Sequence, residues 1–254
     1  MGRKQDIIQQ NPADLTVSAS GREDGKMVRT QRYDKEFLNL SERQFEVLRW
    51  IGEQYTVRID HVQELFGRTA TRETGKPGKI SISLTRRILT RKWLKHKLVS
   101  CDRYKHHGLT WIWLSNRCLN HLEMPFRSRE PSISYLDHYH CINSVRLVLE
   151  KQGVEKWVSE RFLKYEMRKN EECEPHHAPD GLATYEGKDI AIEVELTRKD
   201  DRRLKRIVKS LDSHYDYIWY FVSKSAKLGV KQMTSGNRKF VIYDLADVIG
   251  YDPS

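Results

Sequence analysis

Cysteine is scarce in this sequence: four cysteines occur in 254 residues, and no two form a Cys-x-x-Cys pair. Scattered cysteines favour reduced thiols in a core over a disulfide framework or a redox centre. Long apolar runs are missing too, because no uncharged stretch approaches the roughly 18 residues of a transmembrane helix. Residues 1–15 stay polar, without the apolar stretch of a secretory signal. We therefore expect a cytoplasmic protein with no membrane-spanning segment.

Positive charge is in excess, with 45 Lys and Arg against 35 Asp and Glu, and it is unevenly distributed. Residues 1–130 hold 25 basic and 15 acidic side chains, whereas residues 131–254 hold 20 of each. Residues 68–105 alone carry 12 basic side chains against Glu73 and Asp102. A cluster of one sign is typical of a surface that binds a polyanion, most often nucleic acid. The alternative is a solvated basic face that only keeps the protein soluble.

Residues 37–124 show the element order of a winged helix-turn-helix, after a disordered or loosely attached arm at residues 1–36. Ser41 followed by Gln44 is a capping box that starts the first helix. The predicted elements are helices at residues 41–54, 60–66 and 81–96 and strands at residues 98–103 and 109–114. In a winged helix the third helix enters the major groove and the hairpin contacts the DNA backbone. The alternative is a structural helical subdomain whose basic residues face solvent.

On the winged-helix interpretation, basic side chains of the third helix and of the hairpin tip contact double-stranded DNA. They are Arg86, Arg87, Arg91, Lys92 and Lys95 on the helix and Lys105, His106 and His107 on the tip. Aromatic residues in the same region are expected in the core, with stacking on bases as the alternative. These aromatic residues are Trp93, Tyr104, Trp111 and Trp113.

Residues 125–132 contain two prolines and little periodicity, so they are predicted to link the first domain to a second one at residues 133–254. Beyond them, apolar strand-like runs alternate with helical periodicity. The predicted elements are a helix at 133–151, strands at 154–164, 181–185 and 189–196, a helix at 200–215, and strands at 217–222 and 240–244. Overall this predicts an α+β protein: a winged helix followed by an α/β domain with a mixed central sheet.

Three carboxylates are expected to converge in the second domain. Glu193 and Glu195 are two residues apart on one predicted strand and therefore project to the same face. A hairpin turn at Gly187 would bring Asp180 beside them. Buried carboxylates repel one another unless a cation neutralises them, and hard oxygen ligands suit Mg2+ or Mn2+. The alternative is that these acids form ion pairs at the sheet edge, with Arg198, Arg202 or Lys205.

A zinc site is a weaker alternative for a second group of ligand-type residues. Its members are His138, His140, Cys141, Cys173, His176 and His177. Zinc sites usually take paired ligands two to four residues apart from tight turns. The position of His176 and His177 just before Pro179 instead places them beside the acidic residues.

The acidic residues also carry a family resemblance. Pro179-Asp180 with Glu193-Val194-Glu195, in the order helix, three strands, helix, strand, resembles the PD-(D/E)xK nuclease superfamily. With the winged helix, residues 40–245 resemble the replication-relaxation family of plasmids and integrative mobile elements. The segments that carry this second resemblance are YLDHYHCINSVRLVLEK, SERFLKYE, HAPDGLATYEGKDIAIEVELTRK and YDYIWYFVS.

The resemblance implies that Asp180 and Glu193 are metal ligands of a catalytic site. Glu195 stands where the superfamily usually has a lysine that orients the attacking water and stabilises the transition state. Some restriction endonucleases of this fold are similar in having Glu there. Lys199 is the nearest candidate to supply the missing charge, and Glu160 is a candidate additional acid.

The expected function is therefore that of a DNA-binding protein of a mobile element, with a domain that nicks or cleaves DNA during replication, transfer or mobilisation. Because of Glu195, a catalytically inactive origin-binding or transfer accessory factor is the main alternative. In that case the second domain would form a homodimer or recruit other replication or transfer proteins. A transcriptional regulator of the element is a third possibility.

Overall fold

The structure, a computed structural model, describes residues 40–74, 80–104, 109–170 and 176–251. The predicted arm at residues 1–36 lies outside these ranges, as do Cys173 and the predicted hairpin-tip contacts Lys105, His106 and His107. Residues 41–254 group into one compact unit. No helix in the described ranges is long and apolar enough to cross a membrane.

The N-terminal part of this unit packs helices against a small antiparallel sheet. Its elements are α1 (Glu42–Gln54), β1 (Val57–Arg58), α2 (Ile59–Thr74), α3 (Ile82–Ile88) continuing as a π-helical segment (Leu89–Leu94), β2 (Val99–Arg103), β3 (Thr110–Leu114) and α4 (Asn116–His121). The sheet has the strand order β1-β3-β2, and both pairings are antiparallel. The three predicted helices and both predicted strands are therefore present, and β1 and α4 are additional.

Side-chain caps explain where these helices begin. The Ser41 hydroxyl accepts a hydrogen bond from the Gln44 amide, as the capping box predicts, and the Ser81 hydroxyl caps α3 through the Leu84 amide. The predicted end of the second helix at Gly67 is wrong, because α2 continues to Thr74. An interior glycine costs a helix only about 1 kcal/mol, and here Arg68 ties the following turn to Glu64 through an i,i+4 ion pair.

The aromatic residues of this part form core. Trp93 and Trp111 are 0% exposed, and Trp113 and Tyr104 are 8% exposed. Core packing, the favoured interpretation, is confirmed, and base stacking by these four side chains is wrong because their ring faces are already covered.

The C-terminal part builds the larger sheet. After a 3-10 turn (Ile133–Tyr135), its elements are α5 (Leu136–Lys151), β4 (Lys156–Ser159), α6 (Glu160–Lys169), β5 (Gly181–Tyr185), β6 (Lys188–Glu195), α7 (Asp201–His214), β7 (Tyr217–Val222), α8 (Lys224–Met233), β8 (Phe240–Asp244) and α9 (Leu245–Ile249). The five-stranded sheet has the order β4-β5-β6-β7-β8. Strands β4, β5 and β6 are antiparallel neighbours, whereas β6, β7 and β8 run parallel. The fold is therefore mixed α+β with a mixed sheet, as predicted.

Alternation along β6 assigns the two faces of this sheet. Ile190, Ile192 and Val194 pack on one face against α5. Ala191 packs on the opposite face against α7 and α8. Because residues two apart share a face, Glu193 and Glu195 follow Ala191 and lie on the α7 side.

The hairpin between β5 and β6 turns at Glu186 and Gly187, whose φ angles are 51° and 71°. Two successive left-handed residues are typical of the tight turns that join antiparallel strands, and glycine adopts this conformation without strain. The predicted turn is confirmed, and with it the register that pairs Gly181 with Ile192.

One predicted strand is wrong in its second half. Residues 154–164 were expected to be extended, but β4 ends at Ser159 and α6 begins at Glu160. Phe162 and Tyr165, three residues apart on α6, pack edge-on against Phe126. That helical spacing overrides the strand-like opening of the segment. The helices α8 and α9 were not predicted either.

A charged network joins the N-terminal and C-terminal parts. Arg146 of α5 is 6% exposed and donates to Glu150 at 2.6 Å and to Glu53 of α1 at 2.7 Å. Its guanidinium carbon lies 4.5 Å from the ring centre of Trp50. Arg68 adds an ion pair to Glu150 at 2.7 Å. Arg68 therefore serves packing, although it belongs to the basic segment that the sequence assigned to a polyanion.

We expect Arg146→Met to destabilise the fold by about 3 kcal/mol, because removing one member of a buried ion pair leaves its partners uncompensated. Lys151→Met is the matched control, since its ion pair with Glu64 is 54% exposed on the lysine side, and surface pairs contribute about 0 to 1 kcal/mol. Urea unfolding of both variants measures the difference. Equal unfolding free energies for the two variants would contradict this role of Arg146.

Candidate functional site

Asp180 and Glu193 meet at the middle of the larger sheet, as the hairpin geometry predicts. Asp180 directly precedes β5, and its Oδ2 accepts a hydrogen bond from the backbone amide of Val194 at 2.8 Å. Asp180 is 8% exposed, and Glu193 and Glu195 are each 5% exposed. The structure thus brings three carboxylates to one region of the interior.

Each of these carboxylates contacts a histidine or a lysine side chain. His138 Nε2 lies 3.1 Å from Asp180 Oδ1, and His177 Nε2 lies 2.8 Å from Glu193 Oε1. Lys199 forms an ion pair with Glu195. The alternative pairing with Arg198, Arg202 or Lys205 is wrong, because the three acids pair with His138, His177 and Lys199 and none of those three cations forms an ion pair among the described residues.

The two central acids have opposite pKa shifts. Burial and the negative charge of Asp180 raise the pKa of Glu193 to about 7, against the opposing effects of His177 and Lys199. Burial also acts to raise the pKa of Asp180, but His138 and the Val194 amide outweigh it and lower that pKa. Asp180 is therefore the ionised member of the pair at neutral pH, while Glu193 titrates near pH 7.

The two histidines are held closer to their charged forms. Burial alone would lower the pKa of His138, but the carboxylate of Asp180 raises it. The same balance holds for His177, whose pKa is raised by Glu193 against the effect of burial. Protons on these rings compensate the negative charge that Asp180 and Glu193 bring into the interior.

Tyr220 of β7 adds an unsatisfied hydroxyl beside the acids. Parallel pairing places Tyr220 directly opposite Glu193, and the side chain is 0% exposed. Its Oη has no hydrogen-bond partner in the described part of the chain. Burial, Glu193 and Asp180 all raise its pKa, so the hydroxyl stays protonated as a donor. The hydroxyl is therefore available to an acceptor placed beside Glu193, although burial alone does not identify one, since the core indole nitrogen of Trp93 also lacks a hydrogen-bond partner among the described residues.

The remaining predicted catalytic residues lie at the edge of this site. The Glu160 amide donates to the Asp180 carbonyl oxygen at 3.1 Å, while its side chain pairs with Lys164. Glu160 is thus the first residue of α6 and does not lie on a strand. Lys199 lies in the loop before α7 and not in the helix, and burial lowers its pKa against the attraction of Glu193 and Asp180.

The zinc alternative is not supported by the positions of its residues. His138 and His177 contact the two acids, while His140 Nδ1 lies 3.0 Å from His61 Nε2. His176 stacks on His214 with ring centres 4.1 Å apart. Cys141 is buried in the apolar core, away from the two acids.

No group of three or more His, Cys, Asp and Glu side chains within the described ranges is arranged to hold a metal ion. Asp180 and Glu193 nevertheless offer the paired hard oxygens that a divalent cation prefers. The unpaired Tyr220 hydroxyl fits such a group too, because a metal-bound water or a substrate oxygen would accept its hydrogen bond. Glu195 differs from the pair in that it is already neutralised by Lys199.

The predicted DNA-contacting residues of the third helix share an exposed surface. Arg86, Arg87, Arg91, Lys92 and Lys95 are all exposed. Thr85, Leu89 and Trp93, spaced four apart, are buried on the opposite side. Arg91 and Lys92 lie in the π-helical segment, which widens the helix locally. The amphipathic division leaves the basic face free of core contacts.

The sequence assigned His138 to the zinc alternative and did not relate it to Asp180, which lies 42 residues further along the chain and which His138 contacts from α5. Tyr220 was not predicted as a residue of the site. Tyr220 carried a usable signal, because parallel pairing of β6 with β7 places one of the β7 side chains opposite Glu193.

Comparison of the chain with protein-family models, with curated proteins and with solved structures finds no match.

The raised pKa of Glu193 predicts a pH-dependent difference in stability between the wild type and Glu193→Gln. A carboxyl whose pKa rises on folding stabilises the fold at low pH and loses that contribution as pH rises through the folded value. From pH 5 to pH 8 the Gln variant should gain at least about 1.4 kcal/mol relative to the wild type, the equivalent of one pKa unit.

Thermal and urea unfolding in the presence of a chelator measure this difference. Glu166→Gln, an exposed carboxyl on α6, is the control and should show no such trend. If the difference in unfolding free energy between Glu193→Gln and the wild type were the same at pH 5 and at pH 8, this result would contradict the raised pKa of Glu193.

Proposed function

We propose that this chain is a DNA-binding protein of a mobile genetic element, related to the replication-relaxation family. Residues 37–124 act as a winged helix that binds double-stranded DNA. Residues 133–254 act as a PD-(D/E)xK nuclease-like domain that binds Mg2+ or Mn2+ and nicks or cleaves DNA. The observation that carries this proposal is the buried pair Asp180–Glu193, positioned by a hairpin at the centre of a mixed sheet.

The element order supports the nuclease-like part. Helix α5 is followed by the antiparallel strands β4, β5 and β6, then by α7 and the parallel strand β7. This is the order helix, three strands, helix, strand on which the resemblance was based, with α6 inserted after β4. Asp180 directly precedes β5 and Glu193 lies towards the end of β6, which supports the comparison with the superfamily motif.

In the proposed site Asp180 and Glu193 hold the cation, with Glu195 as a further acid engaged by Lys199. The bound cation would activate water and stabilise the charge that develops on a phosphodiester. His138 and His177 keep the two carboxylates in place and compensate their charge before the cation binds. The Tyr220 hydroxyl is available to donate to a bound oxygen.

Lys199 is the proposed substitute for the lysine that the superfamily usually carries at the position of Glu195. It reaches the site from the loop after β6, and its ion pair with Glu195 fixes its position. The negative charges of Glu193 and Asp180 act to raise the pKa of Lys199, so the lysine interacts electrostatically with both acids. A cation near the reacting phosphate stabilises the transition state electrostatically.

The second candidate function is that of a catalytically inactive accessory factor, which would bind an origin or transfer site and dimerise or recruit partners. The specific observation in its favour is that Glu195 neutralises Lys199, the cation that would otherwise act on the phosphate. Binding of Mn2+ measured by calorimetry separates the two functions. The inactive factor would bind no metal, whereas the nuclease would bind Mn2+ and lose that binding in Glu193→Gln.

We expect Asp180→Asn to abolish nicking of supercoiled plasmid in Mn2+ or Mg2+, because it removes a ligand carboxylate. The loss should be at least about 100-fold, comparable with removal of one electrostatic group from an active site. Glu166→Gln is the control that should keep full activity. Gel analysis of the supercoiled and nicked forms measures both. Wild-type nicking that Asp180→Asn leaves intact would contradict the assignment of the site.

We expect the affinity for DNA to depend steeply on salt concentration. This dependence should become weaker when Arg86, Arg87 and Arg91 are all changed to Gln. The slope of log K against log salt is about 0.9 for each phosphate neutralised on duplex DNA, so it should decrease by about 2 to 3. The control triple variant is Lys156→Gln, Lys231→Gln and Arg238→Gln, which removes the same charge from exposed positions elsewhere. Fluorescence anisotropy with a labelled duplex in a chelator measures the slopes. Equal slopes for both triple variants would remove the third helix as a DNA contact.

A further inference from the structure

The C-terminal half is neutral as a whole, yet α7 and the loop before it are strongly basic. Residues 198–209 contain seven Lys and Arg against Asp200 and Asp201. Six of the seven are exposed, namely Arg198, Arg202, Arg203, Lys205, Arg206 and Lys209. None of these six forms an ion pair with a carboxylate among the described residues. The acids that balance this charge in the sequence therefore lie elsewhere in the structure.

The basic side chains follow the face of α7 opposite the core. Leu204, Ile207 and Leu211 bury the inner face against the sheet. Arg202, Arg206 and Lys209, spaced four and three apart, form a stripe on the outer face. The stripe extends about 10 Å at 1.5 Å per residue. Duplex DNA carries about one phosphate charge per 1.7 Å of its axis, so this length corresponds to about six phosphates.

The flank of the same helix contacts the acidic site. Ser210 Oγ accepts a hydrogen bond from the backbone amide of His177 at 3.0 Å, and His177 contacts Glu193. The His214 ring stacks on His176. At the other end, Lys199 leads from Glu195 into the helix. The C-terminal end of α7 and the residue two positions before its start are thus linked to side chains of the site.

We propose that the outer face of α7 is a second DNA-binding surface, which holds the phosphate backbone of double-stranded DNA on the C-terminal part of the chain that carries Asp180 and Glu193. The inference deepens the proposed function and rests on it. It supplies a contact on a helix that is linked to the acidic site through Ser210 and through Lys199 just before it, whereas the third-helix contacts belong to the N-terminal part of the chain.

The composition of the helix selects DNA over an anionic membrane as the occupant. A helix that binds a lipid surface inserts apolar side chains beneath its basic ones. The apolar residues Leu204, Ile207 and Leu211 are 3%, 9% and 0% exposed, because the sheet already covers them. What α7 presents is cationic and polar, which matches a phosphate backbone.

The test compares salt dependence of binding to a labelled 30-base-pair duplex of arbitrary sequence, in a chelator so that no cleavage occurs. The variant is Arg202→Gln, Arg206→Gln and Lys209→Gln in the full chain. Its control is the Lys156→Gln, Lys231→Gln, Arg238→Gln triple variant, which removes the same charge.

Thermal unfolding checks that both triple variants fold. The α7 variant should lower the slope of log K against log salt by about 2 to 3 and weaken binding at least tenfold, while the control changes neither value.

The outcomes separate this inference from the function on which it rests. If the wild type binds the duplex and the α7 variant shows the same slope of log K against log salt, the inference alone is overturned. DNA binding by the third helix is tested separately by the triple variant of Arg86, Arg87 and Arg91. No duplex binding by the wild type at any salt would overturn both. Loss of binding to phosphatidylserine vesicles in the α7 variant, with duplex binding unchanged, would assign the surface to a membrane and overturn the inference.

Discussion

The burial of two carboxylates side by side is the constraint on which the rest of the site depends. Asp180 and Glu193 enter the sheet interior through a hairpin, and neither can be ionised there without compensation. The protein supplies that compensation from three directions: a histidine from α5, a histidine from the loop before β5, and a lysine from the loop after β6. Replacing buried charged groups by apolar residues of similar volume is often neutral or stabilising, so packing alone does not account for this arrangement.

The same helix that serves the site also joins the two parts of the chain. On α5, His138 contacts Asp180, while Arg146 and Glu150 bind α1 and α2. A cation bound at the acids and a DNA duplex bound at the third helix would thus act on parts of one rigidly packed unit. In the proposed function this packing fixes where DNA held by one part lies relative to the site in the other.

Local chemistry explains what could be predicted from the sequence. Ser41 and Gln44 predict the start of a helix. The turn at Glu186 and Gly187 sets the register of the hairpin, and that register brings Asp180 towards Glu193. Features that depend on distant packing were not predictable. Glu160 was assigned to a strand that is extended only as far as Ser159, and the contacts of Phe162 and Tyr165 with Phe126 accompany the helix that follows. The pairing of His138 with Asp180 joins segments that no sequence pattern relates.

The most direct test of the central claim, that Asp180 and Glu193 form a divalent-cation site, is a crystal structure determined with Mn2+ and its anomalous scattering. The account predicts an anomalous peak within about 2.2 Å of oxygens of both carboxylates, close to the usual distances for small divalent cations, with His177 displaced from Glu193. Carboxylates that remain on His138 and His177 at saturating Mn2+, with no peak between them, would contradict it.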